Sequence, residues 1–190
     1  KMNSNGKGGL GGALKALGRS ITSGESFFIT KASAIGTNGK ISLAPASLGS
    51  IKEILVGQEQ WNLNTGAFLV SEGGVHYIME RQKLDGALFG GTGGLFVMKT
   101  QGSGKMLISG YGDIVEIALD GTEDFVVDNQ HVLVWTESLS YSIEVASGTF
   151  GFKTGEGLVN KFRGKGKILI QSRNVEALAQ SIIPFIPSKG

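Results

Sequence analysis

Apolar and polar residues alternate along much of the chain. In "YSIEVA" the apolar Tyr141, Ile143 and Val145 are separated by Ser142 and Glu144, and "VHYIME" repeats the scheme with Val75, Tyr77 and Met79. A period of two puts one set of side chains on a buried sheet face and the other in water. Between such runs lie Asn-Gly at Asn38 and Asp-Gly at Asp85 and Asp120, dipeptides suited to the positive backbone angles of tight hairpins. The pattern predicts an antiparallel, mostly β protein.

Two segments carry a helical period instead. "GGLGGALKALGRSI" spaces Leu10, Leu14, Leu17 and Ile21 as one face of a helix, but each of its glycines costs about 1 kcal/mol relative to alanine, so the helix predicted is short. "NVEALAQSIIP" offers Asn174 as an N-cap, sets Val175, Leu178, Ala179, Ile182 and Ile183 on one stripe, and stops at Pro184. A C-terminal helix over residues 174–184 is expected.

The chain also resembles itself. "VMKTQGSGKMLI" at Val97 to Ile108 returns 62 residues later as "VNKFRGKGKILI" at Val159 to Ile170. A shift of 63 lays "GSIKEI" (Gly49 to Ile54) on "GDIVEI" (Gly112 to Ile117), and a shift of 64 lays Trp61 on Phe125 and Tyr77 on Tyr141. "GESFFITK" from Gly24 parallels "GEGLVNK" from Gly155, and "NGKISL" from Asn38 parallels "SGKMLI". The repeats read as residues 24–90, 91–154 and an incomplete third unit over 155–174, within a single domain covering 1–190. Each unit runs strand, turn at Gly-x-Gly-Lys or Asn-Gly-Lys, strand, acidic turn and further strands. Such units imply pseudo-equivalent sheets packed around one core, as a sandwich or prism. The missing half-unit predicts an open sheet edge, covered by residues ahead of Lys1 or by a neighbouring subunit.

Composition narrows the chemistry. The 31 glycines among 190 residues show no three-residue period, which points to many tight turns rather than collagen. The absence of cysteine removes disulfides, thiolate metal sites and a cysteine nucleophile, and fits a cytoplasmic protein. A formal charge of +2 is too small to attract nucleic acid through bulk electrostatics. No apolar run reaches the roughly 20 residues that cross a bilayer.

The candidate motifs are few. Lys99, Lys105, Lys161, Arg163, Lys165 and Lys167 line the two Gly-x-Gly-Lys turns and would form a repeated basic edge able to meet phosphates of nucleic acid or of an anionic membrane surface. The plain alternative is a set of solvated hairpin lysines. "GKGGLG" at Gly6 matches a dinucleotide fingerprint without the strand that should precede it. His76 and His131 lack partners at metal-ligand spacing, and the acids Asp120, Glu123, Asp124 and Asp128 lack the calcium-loop spacing. Leu10 to Ile21, with Lys15 and Arg19, suits packing against a neighbouring subunit better than a peripheral membrane contact. No catalytic, cofactor-binding or metal-binding residue and no small-molecule substrate is expected.

Three stretches together, "GGLGGALKALGRSITSGESFF", "GEGLVNKFRGKGKILIQSRN" and "ALAQSIIPFIP", resemble the altered-inheritance-of-mitochondria, or mitochondrial biogenesis, family. That resemblance implies a fold similar to the tryptophan RNA-binding attenuation protein, with three β-units per subunit. It also implies a non-enzymatic protein with a link to membrane organisation, and it favours a homo-oligomer, a trimer first. The expected function is therefore a structural or assembly role, with anion binding through lysine-bearing hairpin turns as the alternative.

Overall fold

The structure, a computed structural model, describes residues 2–4, 28–36, 38–81, 96–145 and 158–186. The first strands are β1 (Met2–Ser4) and β2 (Phe28–Thr30), which pair with each other. Then come β3 (Ile51–Val56), β4 (Trp61–Asn64), β5 (Phe68–Ser71), β6 (Val75–Arg81), β7 (Phe96–Gly102) and β8 (Gly104–Ser109). A second series follows: β9 (Ile114–Asp120), β10 (Phe125–Asp128), β11 (Val132–Thr136), β12 (Ser140–Val145), β13 (Leu158–Arg163) and β14 (Lys165–Gln171). A single α-helix, α1 (Val175–Ile182), comes after them among the described residues.

The protein is mostly β, with antiparallel sheets in a sandwich-like arrangement. One sheet has the order β3-β8-β5, another β10-β13-β12, and a six-stranded sheet runs β6-β7-β4-β11-β14-β9. In β12, Tyr141 and Ile143 turn inward while Ser142 and Glu144 are exposed, as the alternation predicts. The continuous apolar run Val132 to Trp135 is buried throughout, because β11 sits inside the six-stranded sheet with a core on each face.

Every pairing within the first series, β3 to β8, has a counterpart in the second, β9 to β14. β3 pairs with β8 as Ile54 to Met106, and β9 with β14 as Ile117 to Ile168. β6 pairs with β7 as Tyr77 to Thr100, and β12 with β13 as Tyr141 to Phe162. β4 and β7 match Asn62 with Lys99, and β10 and β13 match Val126 with Lys161. The irregularity between Phe68 and Val70 in β5 reappears between Val132 and Val134 in β11. The two series meet where β4 pairs with β11, Trp135 opposite Asn62.

Two cores result. The larger contains Ile54, Trp61, Leu63, Met106 and Ile108 from the first series and Leu133, Val134 and Leu169 from the second. The smaller is built around Trp135, whose ring lies 4.7 Å from that of Tyr141 and 5.7 Å from that of Phe162, both in edge-on geometry.

Several local expectations change. Neither Gly-x-Gly-Lys turn closes a hairpin: β7 and β8 belong to different sheets, as do β13 and β14, so each turn is a corner that carries the chain from one layer to another. Gly102 and Gly164 allow this with φ of 85° and 104°. Asp120-Gly121 has the positive φ expected of it, 89° at the glycine, yet it too links two sheets, since β9 pairs with β14 and β10 with β13. Asn38 to Leu43, expected to return as a strand, joins no sheet among the described residues, and its Ile41 and Leu43 are exposed. Asp85, the glycine-rich Leu10 to Ile21 segment, and the unit starts Gly24, Gly91 and Gly155 lie outside the described residues.

The C-terminal helix forms as its cap predicts. The Asn174 side chain accepts from the Ala177 N–H at 2.7 Å, and the chain tightens into a 3-10 turn at Ile183–Phe185, where Pro184 cannot donate to a continuing α-helix. Its apolar stripe is not buried: Val175, Leu178, Ile182 and Ile183 are all exposed.

Candidate functional site

Four of the six basic candidates occupy equivalent places in the two corners, Lys99 with Lys161 and Lys105 with Lys167, while Arg163 and Lys165 stand where the first corner has Gln101 and Ser103, and most of the six face a carboxylate. Lys99 on β7 lies 3.0 Å from Glu80 on β6, and its counterpart Lys161 on β13 lies 3.1 Å from Asp124. Arg163 donates through Nε to both Asp124 oxygens at 3.0 Å. Lys105 is 3.2 Å from Glu53, and Lys167 is 3.7 Å from Glu59. Lys165 stands opposite Asp120 in the β9·β14 register.

Electrostatics agree with the distances. The hydrogen bond from Lys161, helped by Arg163, holds the Asp124 carboxyl below the usual carboxylate range. Asp120 is lowered mainly by the backbone and hydroxyl of Thr122, with a smaller part from the charge of Lys165. Glu116 is lowered chiefly by its hydrogen bond from Lys52, 2.9 Å away on β3. The corners are thus mixed-charge surfaces rather than a row of free cations.

Among the described residues no cluster of three or more His, Asp or Glu side chains has the arrangement to hold a metal ion. The acids Asp120, Glu123, Asp124 and Asp128 do not converge. Asp128 instead caps the turn Asn129–His131 by accepting from the Gln130 N–H at 2.8 Å. His76 lies on the exposed face of β6. His131 is half-buried in a cleft of about 320 Å³ lined by Tyr111, Ser172, Arg173, Asn174 and Leu178. Its contacts come from β14 and α1, 40 and 43 residues away along the chain, a distance at which no sequence motif reports.

The sheet edges carry a different kind of information. Among the described residues β3, β6, β9 and β12 are edge strands in matching positions of the two series. β5 and β10 are also edges among the described residues, but their counterparts β11 and β4 are not: those two pair with each other. Among the described residues the protein therefore contains one example of a junction whose two halves it also presents unpaired. Val126, at the middle of the β10 edge, is 54% exposed.

Among the described residues no helix is long and apolar enough to cross a membrane. The mitochondrial biogenesis AIM24 family model matches residues 1–173. A bacterial relative from Streptococcus pyogenes serotype M6, described only as an uncharacterized protein, is 47% identical over 186 residues, which cover 97% of this chain and 74% of that one. The crystal structure of another Streptococcus pyogenes protein is similar with a TM-score of 0.72 and 39% identity, covering 98% of this chain and 82% of that one. A family match over nearly the whole chain and a fold shared at this level of identity place the molecule: it belongs to the mitochondrial biogenesis AIM24 family.

Proposed function

We propose that the protein is a non-enzymatic assembly module whose copies join into a homo-oligomeric β scaffold, by pairing the β10 edge of one copy with the β5 edge of the next. The observation that carries this reading is the β4·β11 junction. Carried over by the 64-residue offset that relates Asn62 to Val126, its register sets Val126 opposite Ser71 and Val127 opposite Val70 of the second copy. Such a contact is heterologous, so repeated copies close into a ring when the rotation allows, and the family resemblance favours three. The family's link with mitochondrial biogenesis makes a membrane-peripheral setting part of the proposal.

Anion binding has less support, because five of the six basic candidates are within 4 Å of a carboxylate. An anion would have to displace those partners, and exposed pairs contribute only about 0–1 kcal/mol each, so the pairing weakens the reading without forbidding contact.

Light scattering over a concentration series tests the assembly. The wild-type chain is expected to associate, and Val126→Lys, which places a charge in the middle of the edge, is expected to leave a folded monomer with an unchanged far-UV circular dichroism spectrum. A wild-type chain that stays monomeric at every concentration overturns the proposal, as does association that V126K does not disturb.

A further inference from the structure

We infer that His131 is a pH-responsive latch that sets the N-cap of α1. His131 ends the turn between β10 and β11, with its ring against the end of β14 and the start of the helix. Its Nδ1 stands 2.6 Å from the Gln171 carbonyl oxygen, which can only accept, so this nitrogen carries the proton. In the neutral ring Nε2 is then an acceptor, and the Asn174 side-chain NH2 donates to it at 3.0 Å. That contact decides which way the amide faces. With its nitrogen turned to the histidine, Asn174 presents its oxygen to the helix and accepts from the Ala177 N–H at 2.7 Å. One side chain thus connects the imidazole to the helix cap.

Protonation reverses the requirement. The imidazolium donates at both nitrogens, and its Nε2–H meets the Asn174 NH2, donor against donor. Rotating the amide gives the imidazolium an oxygen, but turns the NH2 towards the Ala177 N–H and abolishes the cap bond. The two carboxylates on the elements around the ring already have partners, and, apart from that of Asn174 itself, the only other side-chain oxygens lining the cleft among the described residues are the hydroxyls of Tyr111, Ser172 and Ser181, none of which is the partner of Nε2. Asp128, on the same turn, accepts from the Gln130 N–H, and Glu176, on α1, accepts from the Gln130 side chain and from Gln180. Arg173, between β14 and α1, is a like charge, and Tyr111 lines the cleft from the loop ahead of β9. The cap is therefore made while the ring is neutral and lost when the ring takes up a second proton. Because α1 displays Val175, Leu178 and Ile182 to solvent, acid loosens the element that carries this apolar stripe.

Hydrogen exchange at the Ala177 amide, corrected for its intrinsic pH dependence, reads the cap directly. Between about pH 8 and pH 5 its protection is expected to fall roughly fivefold in the wild-type protein, the size of effect that one N-cap bond supplies. His131→Gln removes the titrating group, and the pH dependence should vanish. Asn174→Asp supplies a carboxylate that caps the helix and also accepts from the imidazolium, so acid should no longer release the amide. Wild-type protection that does not change with pH overturns the latch, and so does the same acid-induced loss in both variants.

Discussion

Gly102 and Gly164 hold the same place at the two corners, yet their surroundings differ, and this separates two costs that usually come together. Both have positive φ, so a side chain at either strains the backbone by about 1–3 kcal/mol. At Gly164 the nearest atom to an added Cβ is the Ser138 carbonyl oxygen at 3.7 Å, an ordinary contact. At Gly102 the Gly74 carbonyl oxygen would lie 2.3 Å away, and a backbone atom inside a paired turn cannot move aside cheaply, since the Ser103 N–H donates to that same oxygen. Gly164→Ala should therefore lose only the conformational strain. Gly102→Ala should lose about 1 kcal/mol or more beyond it, from overpacking. Urea denaturation of the two variants gives the comparison, and equal losses would mean that the corner at Gly74 yields more readily than its hydrogen bond indicates.

At the scale of elements, the corners explain why lysines recur there. Leaving one sheet for another, the chain places Lys105, Lys165 and the half-buried Lys167 beside acids, and charges pair: Lys105 across strands with Glu53, Lys167 with Glu59 in the turn between β3 and β4. Lys165→Glu combined with Lys167→Glu is accordingly expected to leave retention on heparin and on anionic vesicles unchanged; a clear loss of retention would return the corners to the list of anion sites. The strands themselves were legible in the sequence, because a period of two reports directly which face is buried, and the α1 cap was legible because capping is local. The connectivity was not. Asp120-Gly121 and the Gly-x-Gly-Lys turns have the backbone freedom a hairpin needs, but whether the following strand pairs with the preceding one depends on where the core lies, and no dipeptide encodes that. Asn38 to Leu43 failed for the converse reason, a strand-like stretch whose Ile41 and Leu43 are exposed and which joins no sheet among the described residues. The His131–Asn174 contact was invisible, since it joins residues far apart along the chain, and the open edge that the incomplete third unit predicts could not be assigned from the sequence to β5 and β10.

For the whole molecule, the question is whether two series with matching pairings unfold separately or together. Among the described residues few backbone bonds join them directly: three residue pairs link β4 to β11, the Glu137 N–H donates to the Gln60 carbonyl at 2.8 Å, and the Gly49–Gly112 bridge adds the Ser50 N–H to the Gly112 carbonyl at 2.8 Å and the Gly112 N–H to the Leu48 carbonyl at 3.0 Å. The cores decide the matter. Leu133, Val134 and Leu169 complete the larger cluster from the second series, and Val97 enters the smaller one from the first, so neither series can keep its interior dry once the other has opened. Burial shared in this way makes a single cooperative transition the expected behaviour. The sequence contains 2 tryptophans, and the fold places Trp61 in the larger core and Trp135 in the smaller. Trp135→Phe leaves a fluorescent reporter in the first core and Trp61→Phe leaves one in the second. Within each variant, tryptophan fluorescence and far-UV circular dichroism should trace one urea transition with one midpoint, even if the substitutions shift that midpoint between variants. A fluorescence midpoint displaced from the circular dichroism midpoint in either variant would show that one core melts ahead of the other, and the shared side chains would then be contacts between two folding units rather than the interior of one.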